Sequence, residues 1–182
     1  MQVASMHIGS ANALTELLEG IDFSDFSMAR LIKRVEHLRE RPILVLPVTI
    51  DDPHLHGAWI KTADYDCICL DKNTALVHQD HILCHEIGHM ILGHSTLFLP
   101  TQIGRYIEAH SADELRQTLE HALSQDSVLK RSRYDSDEER EAEEFATALQ
   151  NELIRRVGLQ ALTRKVASSP LWSELARGLG LN

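Results

Sequence analysis

The chain has 182 residues, 43% of them hydrophobic and 25% charged, with five prolines and nine glycines. That composition excludes collagen-like, low-complexity and wholly disordered chains, and the length suits a single domain able to bury a core without disulfides. Eighteen basic against 27 acidic residues leave a net charge of −9, the wrong sign for steering toward phosphate backbones, so nucleic-acid binding is not expected as the main activity. The basic clusters Arg30/Lys33/Arg34/Arg39/Arg41 and Lys130/Arg131/Arg133 alternate with acids and apolar residues and read as solvated helix faces. Three cysteines form no disulfide framework, and Cys67 and Cys69, two apart on one strand face, read as small core residues of a protein in a reducing compartment. The first residues do not read as a signal peptide and no apolar run is long enough for a membrane helix, so the expectation is a soluble cytoplasmic protein.

In chain order, residues 11–19 and 27–40 are amphipathic helices, the second with Ser27 as N-cap and ended by Pro42. Residues 43–50 (ILVLPVTI) are a strand that Pro47 confines to an edge or a bulge. A turn follows over 51–57, then two short strands near 58–62 and 66–70. Helical patterning resumes from 74 to Gly93, a residue suited to ending a helix. The stretch 95–133 is a mixed connection holding a capping-box start at Ser111–Glu114 ahead of Leu115, Leu119 and Leu123. A long helix over 137–157 should stop at Gly158, with short helices near 159–167 and 170–178. The whole reads as an α+β fold: a small antiparallel or mixed three-stranded sheet packed on a mainly helical body.

The segment His85-Glu86-Ile87-Gly88-His89 matches H-E-x-x-H. Residues four apart on a helix share a face, so both imidazoles can reach one metal ion while Glu86, about 100° round the helix, is placed to take a proton from water rather than to ligate. Zinc makes that chemistry accessible at neutral pH by lowering the pKa of its water to roughly 7. His78 and His81 fall on the same side of the helical wheel and read as polar residues near the site. His94 falls on the opposite face, and Leu92 and Ser95 stand where a metzincin would need Gly and His.

A catalytic zinc takes three protein ligands and keeps one open position. The third is expected from the acidic start of the 137–157 helix, whose apolar stripe is Ala142, Phe145, Ala146, Leu149 and Leu153. Glu138 and Glu139 both extend that stripe toward the helix N-terminus, and spacing leaves both open. The bland alternative is a capping box between Ser136 and Glu139.

Together, HEIGH and a later helix of the form E-x-x-A-x-x-F-A resemble the ImmA/IrrE family of zinc metallopeptidases, within the gluzincins. The resemblance spans about residues 27–150, including the helix ending at Arg-Pro, the strand ILVLP, Gly57-Ala58-Trp59-Ile60 and CICLD. It implies a zincin-like domain with core 27–157 inside a single 1–182 unit, the helices 11–19 and 159–178 being appendages and 95–133 an insertion. It implies Zn2+ held by His85, His89 and Glu139, with Glu86 as the catalytic base. It also implies a protein substrate, such as a helix-turn-helix repressor. The chain departs from the family in having Glu143 after the motif's Ala, where Asn or Asp is usual, and in lacking a Leu-Met-Pro ending. His89 and Glu139 lie 139 − 89 = 50 positions apart, a longer spacing than the family's. The extra length reads either as a lid over the site or as a packing insertion. Arg133, Tyr134, His110 and His121 are the residues from which an oxyanion stabiliser could come.

Two functions from different classes fit this reading. One is a zinc-dependent endopeptidase acting on a specific regulatory protein. The other is a non-proteolytic regulatory or toxin-like binding protein that keeps the metallopeptidase fold; the intact Glu86 argues against it.

Overall fold

A computed structural model describes residues 8–51, 55–62, 64–94, 97–98, 117, 119–120 and 136–167. Helix α1 (Ile8–Leu18) leads through a 3₁₀ turn (Phe23–Asp25) into α2 (Met28–Arg39), followed by β1 (Ile43–Val48), β2 (Gly57–Lys61), β3 (Asp66–Asp71), α3 (Leu76–Leu92), β4 (Leu97–Phe98) and α4 (Ser136–Ala167). The architecture is α+β with a small mixed sheet, as the patterning predicts. Its order is β1-β3-β2-β4: β1 runs parallel to β3, β2 antiparallel to β3, and the two-residue β4 adds to β2 in parallel, one strand more than expected. Pro47 lies on β1, the edge where a missing N–H costs no ladder bond.

Alternation along the strands sends side chains to two covered faces. Ile43, Trp59, Ile68 and Leu70 pack with Leu17 of α1, Leu31 and Val35 of α2, Ile82, Ile87 and Met90 of α3 and Phe145 of α4. Leu46, Val48, Ala58, Ile60, Cys67 and Cys69 pack on the other side with Leu119. With both faces sealed, every residue of β3 is buried. Leu119 is fully buried, and its neighbour Glu120 accepts a hydrogen bond from the Thr49 N–H at 2.7 Å. At these residues the 95–133 connection packs on the back of the sheet. Its capping box, the helix expected near 170–178, and Arg133, Tyr134, His110 and His121 lie outside the described residues.

Three expectations are corrected. Helix α2 stops because Glu40 takes the left-handed conformation (φ 51) and its N–H turns back to Glu36 and His37; Pro42 lies beyond that stop. Helix α4 runs on through Gly158, which is not among the positive-φ glycines, so the expected break and separate 159–167 helix are one continuous helix. A helical glycine costs only about 1 kcal/mol against alanine, too little to end a helix already committed on both sides. Arg39 and Arg41 are not a solvated face: both pair with the fully buried carboxylate of Asp66, at 3.0 and 3.3 Å. Arg39 also lies 4.9 Å over the Trp59 ring and donates to the Met90 carbonyl, tying α2 and the sheet to the last turns of α3.

Candidate metal centre

Helix α3 enters the core at Ile82 and stays there through Met90. Two glycines let it approach its neighbours. A Cβ on Gly88 would lie 3.1 Å from the Ala142 carbonyl oxygen and 3.3 Å from Phe145 Cδ1, so α3 and α4 touch backbone to backbone here. A Cβ on Gly57 would lie 2.3 Å from Ile82 Cγ2 and 2.9 Å from Glu86 Oε1, so β2 is equally close on the other side. The motif is thus held between the sheet and the acidic start of α4.

His85 and His89, one turn apart, bring their rings to 4.8 Å between centroids and their Nε2 atoms to 3.0 Å. Glu139 closes the triangle, with Oε2 at 3.3 Å from His85 Nε2 and Oε1 at 3.7 Å from His89 Nε2. Two donors on a tetrahedral zinc, each about 2.05 Å from it, stand about 3.3 Å apart, and the three observed separations bracket that value. The donor set, two imidazoles and a carboxylate, is that of an open zinc site. These three residues form the group among the described residues that could hold a metal ion. Glu138, the alternative left open by spacing, is not part of it. His89 is fully buried while the Glu139 side chain keeps 45% of its exposure, so the centre is closed from below and open toward solvent on the α4 side.

At His89 the electrostatics fit ligation. Burial, then the neighbouring His85 and His94, push His89 down to about 3, so it is neutral at pH 7 with a lone pair to offer. Glu86 is 3% exposed, and desolvation raises its carboxyl to about 7 although His85 and a backbone hydrogen bond from Trp59 oppose the rise. Its Oε2 has no hydrogen-bond partner among the described residues. A buried carboxylate oxygen without a partner is costly, which marks Glu86 as a group kept for something other than stability.

The other expected residues sort by depth. Glu143 sits with Oε2 3.4 Å from His85 Nδ1 and 3.1 Å from His81 Nε2. His81 also places Nδ1 3.0 Å from Gln150 Oε1, so both its ring nitrogens are engaged away from the centre. His78 lies further out, stacked on His81 and edge-on to His56. His94 is the clearest departure from expectation. It does not point away: its Nδ1 is 3.0 Å from His89 Nδ1, and its Nε2 is 3.4 Å from Glu141 Oε2. The wheel assumed a helix continuing past Gly93, whereas Gly93 turns the chain back with φ 72. Gly57 went unrecognised as a close-approach residue, since only the packing reveals it. Cys67 and Cys69 are free and buried as expected; Cys84 is free and buried too, with burial holding its thiol up at about 12.

Comparison with protein-family models finds no match, and comparisons with curated proteins and with solved structures find none either. Among the described residues no helix is long and apolar enough to cross a membrane.

Proposed function

We propose that the chain is a zinc-dependent endopeptidase of the kind its two motifs resemble, the ImmA/IrrE metallopeptidases. One observation carries the reading: His85 Nε2, His89 Nε2 and the Glu139 carboxylate meet at zinc-sized spacings beside a buried Glu86. His85, His89 and Glu139 are the residues that would hold the ion, which supplies Lewis acidity at neutral pH. Glu86, buried beside those ligands, takes a proton from the attacking water and returns it to the departing amine nitrogen as the peptide C–N bond breaks. Glu143 holds His85 from its Nδ1 side. The resemblance points to a helix-turn-helix repressor as substrate, and three buried free thiols favour the reducing cytoplasm.

The test pairs zinc content with cleavage of a helix-turn-helix repressor. Wild type should retain one zinc and cut; Glu86→Gln should retain the zinc and lose cleavage by about 10²-fold or more. If Glu86→Gln acts like wild type on its target, proteolysis is not the function, and the chain is instead a regulatory binding protein on a metallopeptidase fold.

A further inference from the structure

Beyond the three ligands, the centre has a proton arrangement that can be worked out atom by atom. Helix α3 ends at Gly93 in the left-handed conformation (φ 72, ψ 29), and the N–H groups of Gly93 and His94 both return to the His89 carbonyl. This reversal brings the His94 ring to 5.0 Å from that of His89, with Nδ1 facing Nδ1 at 3.0 Å. Where no metal lies between them, two ring nitrogens this close are joined by one proton, so one donates and the other accepts.

Which one donates follows from the other side of His89. Its Nε2 faces His85 Nε2 and Glu139, and a nitrogen that binds a metal must offer a lone pair. The proton of neutral His89 therefore sits on Nδ1 and is donated to His94 Nδ1. A neutral His94 that accepts at Nδ1 carries its own proton on Nε2, and that atom is 3.4 Å from Glu141 Oε2, a carboxylate oxygen that can only accept. The atoms that meet along Glu141, His94 and His89 have consistent roles, with no two donors opposed.

We infer that His94, backed by Glu141, is the positioning residue of the centre: it locks His89 in the Nδ1–H tautomer with its Nε2 lone pair turned toward His85 and Glu139. The inference rests on the metal centre of the proposed function and adds to it a pair of residues outside both motifs. His94 reaches no ligand-binding position itself; its side chain is 7% exposed and acts through His89. The arrangement gives each ligand histidine its own carboxylate from α4, Glu143 directly on His85 and Glu141 through His94 on His89, from either side of the Ala142 that sits against Gly88. Outer partners of this kind fix both tautomer and ring orientation, and removing one weakens metal binding by about 10–100-fold.

The test measures zinc affinity of the full chain by competition with a chelating dye at fixed pH, using His94→Leu, His94→Asn, Glu141→Leu and His89→Ala. Asparagine places an acceptor oxygen near the position of the imidazole Nδ1, whereas leucine fills space without accepting. His94→Leu should weaken zinc binding about 10–100-fold, Glu141→Leu less, and His94→Asn should stay near wild type. Circular dichroism and thermal unfolding of the metal-free variants report folding separately. Should His94→Leu fail to fold, the pair His94→Asn and Glu141→Leu decides, with affinity kept in the first and weakened in the second. Equal losses in His94→Leu and His94→Asn, or wild-type affinity in His94→Leu, overturn the inference while leaving the centre standing. A wild type that binds zinc no better than His89→Ala overturns the centre itself.

Discussion

Helix α3 carries His78, His81, His85 and His89 along one side, and its two halves use them differently. In the outer half, Leu76 and Val77 are 78% and 80% exposed, and His78 and His81 settle for ring stacking and surface partners. In the inner half, from Ile82 on, the helix is gripped between β2 and α4, and His85 and His89 meet Glu139. Residue type and helical phase are nearly the same in both halves. What differs is depth: enclosure strips water from the inner imidazoles, holds His89 neutral, and gathers both inner rings on one carboxylate, Glu139, whereas His81 meets Glu143 and Gln150 nearer the surface.

The sharpest way to break this contrast is to remove one histidine from each half. His89→Ala should weaken zinc binding by more than about 100-fold, beyond what loss of an outer partner costs, while His78→Ala should change it by no more than about twofold. Similar losses in a chelator competition would mean the halves do not differ.

A second test reads the inner half through pH, in the metal-free protein. Glu86 is raised from 4.5 to about 7, so between those values the folded state keeps a proton the unfolded chain has lost, and stability falls as pH rises. His89 is lowered from 6.5 to about 3, so over that range the unfolded chain holds the extra proton, and stability rises with pH. The two effects oppose each other between 4.5 and 6.5. Glu86→Gln removes the first, so urea denaturation should show stability climbing by about 2 kcal/mol more than in wild type from pH 4.5 to 6.5. Parallel profiles for the two proteins would contradict the raised Glu86 carboxyl.

Packing supplies smaller effects. Gly57→Ala drives a Cβ against Ile82 and Glu86 and should cost about 1–3 kcal/mol by chemical denaturation, whereas Val77→Ala in the outer half should stay within about 0.5 kcal/mol. Smallest is Gly158→Ala. Nothing lies within 4 Å of the added Cβ and the residue is helical, so thermal unfolding should show a gain of about 0.5–1 kcal/mol. A loss there would mean that α4 ends where the sequence suggests.

The periodic features were legible because they depend on near neighbours. Apolar spacing placed α2, α3 and the strands to within a few residues, Pro47 marked the edge strand, and H-E-x-x-H fixed which side of α3 could face a metal. Gly158 misled because a glycine's local preference is worth less than the helix around it. His94 misled because a helical wheel cannot represent the reversal at Gly93. Arg39 and Arg41 misled because their partner, Asp66, is more than twenty residues away.

By itself, then, the sequence determined an α+β chain with two histidines and a glutamate on one helix, chemistry that follows from residue type and a 3.6-residue repeat. The tertiary structure decided which acid of α4 completes the group, that Glu143 and Glu141 stand behind the two histidines, and that Glu86 is buried without a partner for one oxygen among the described residues. Those facts depend on how closely α3 approaches α4 and β2, a distance set by Gly88 and Gly57 through packing, and no local pattern encodes it.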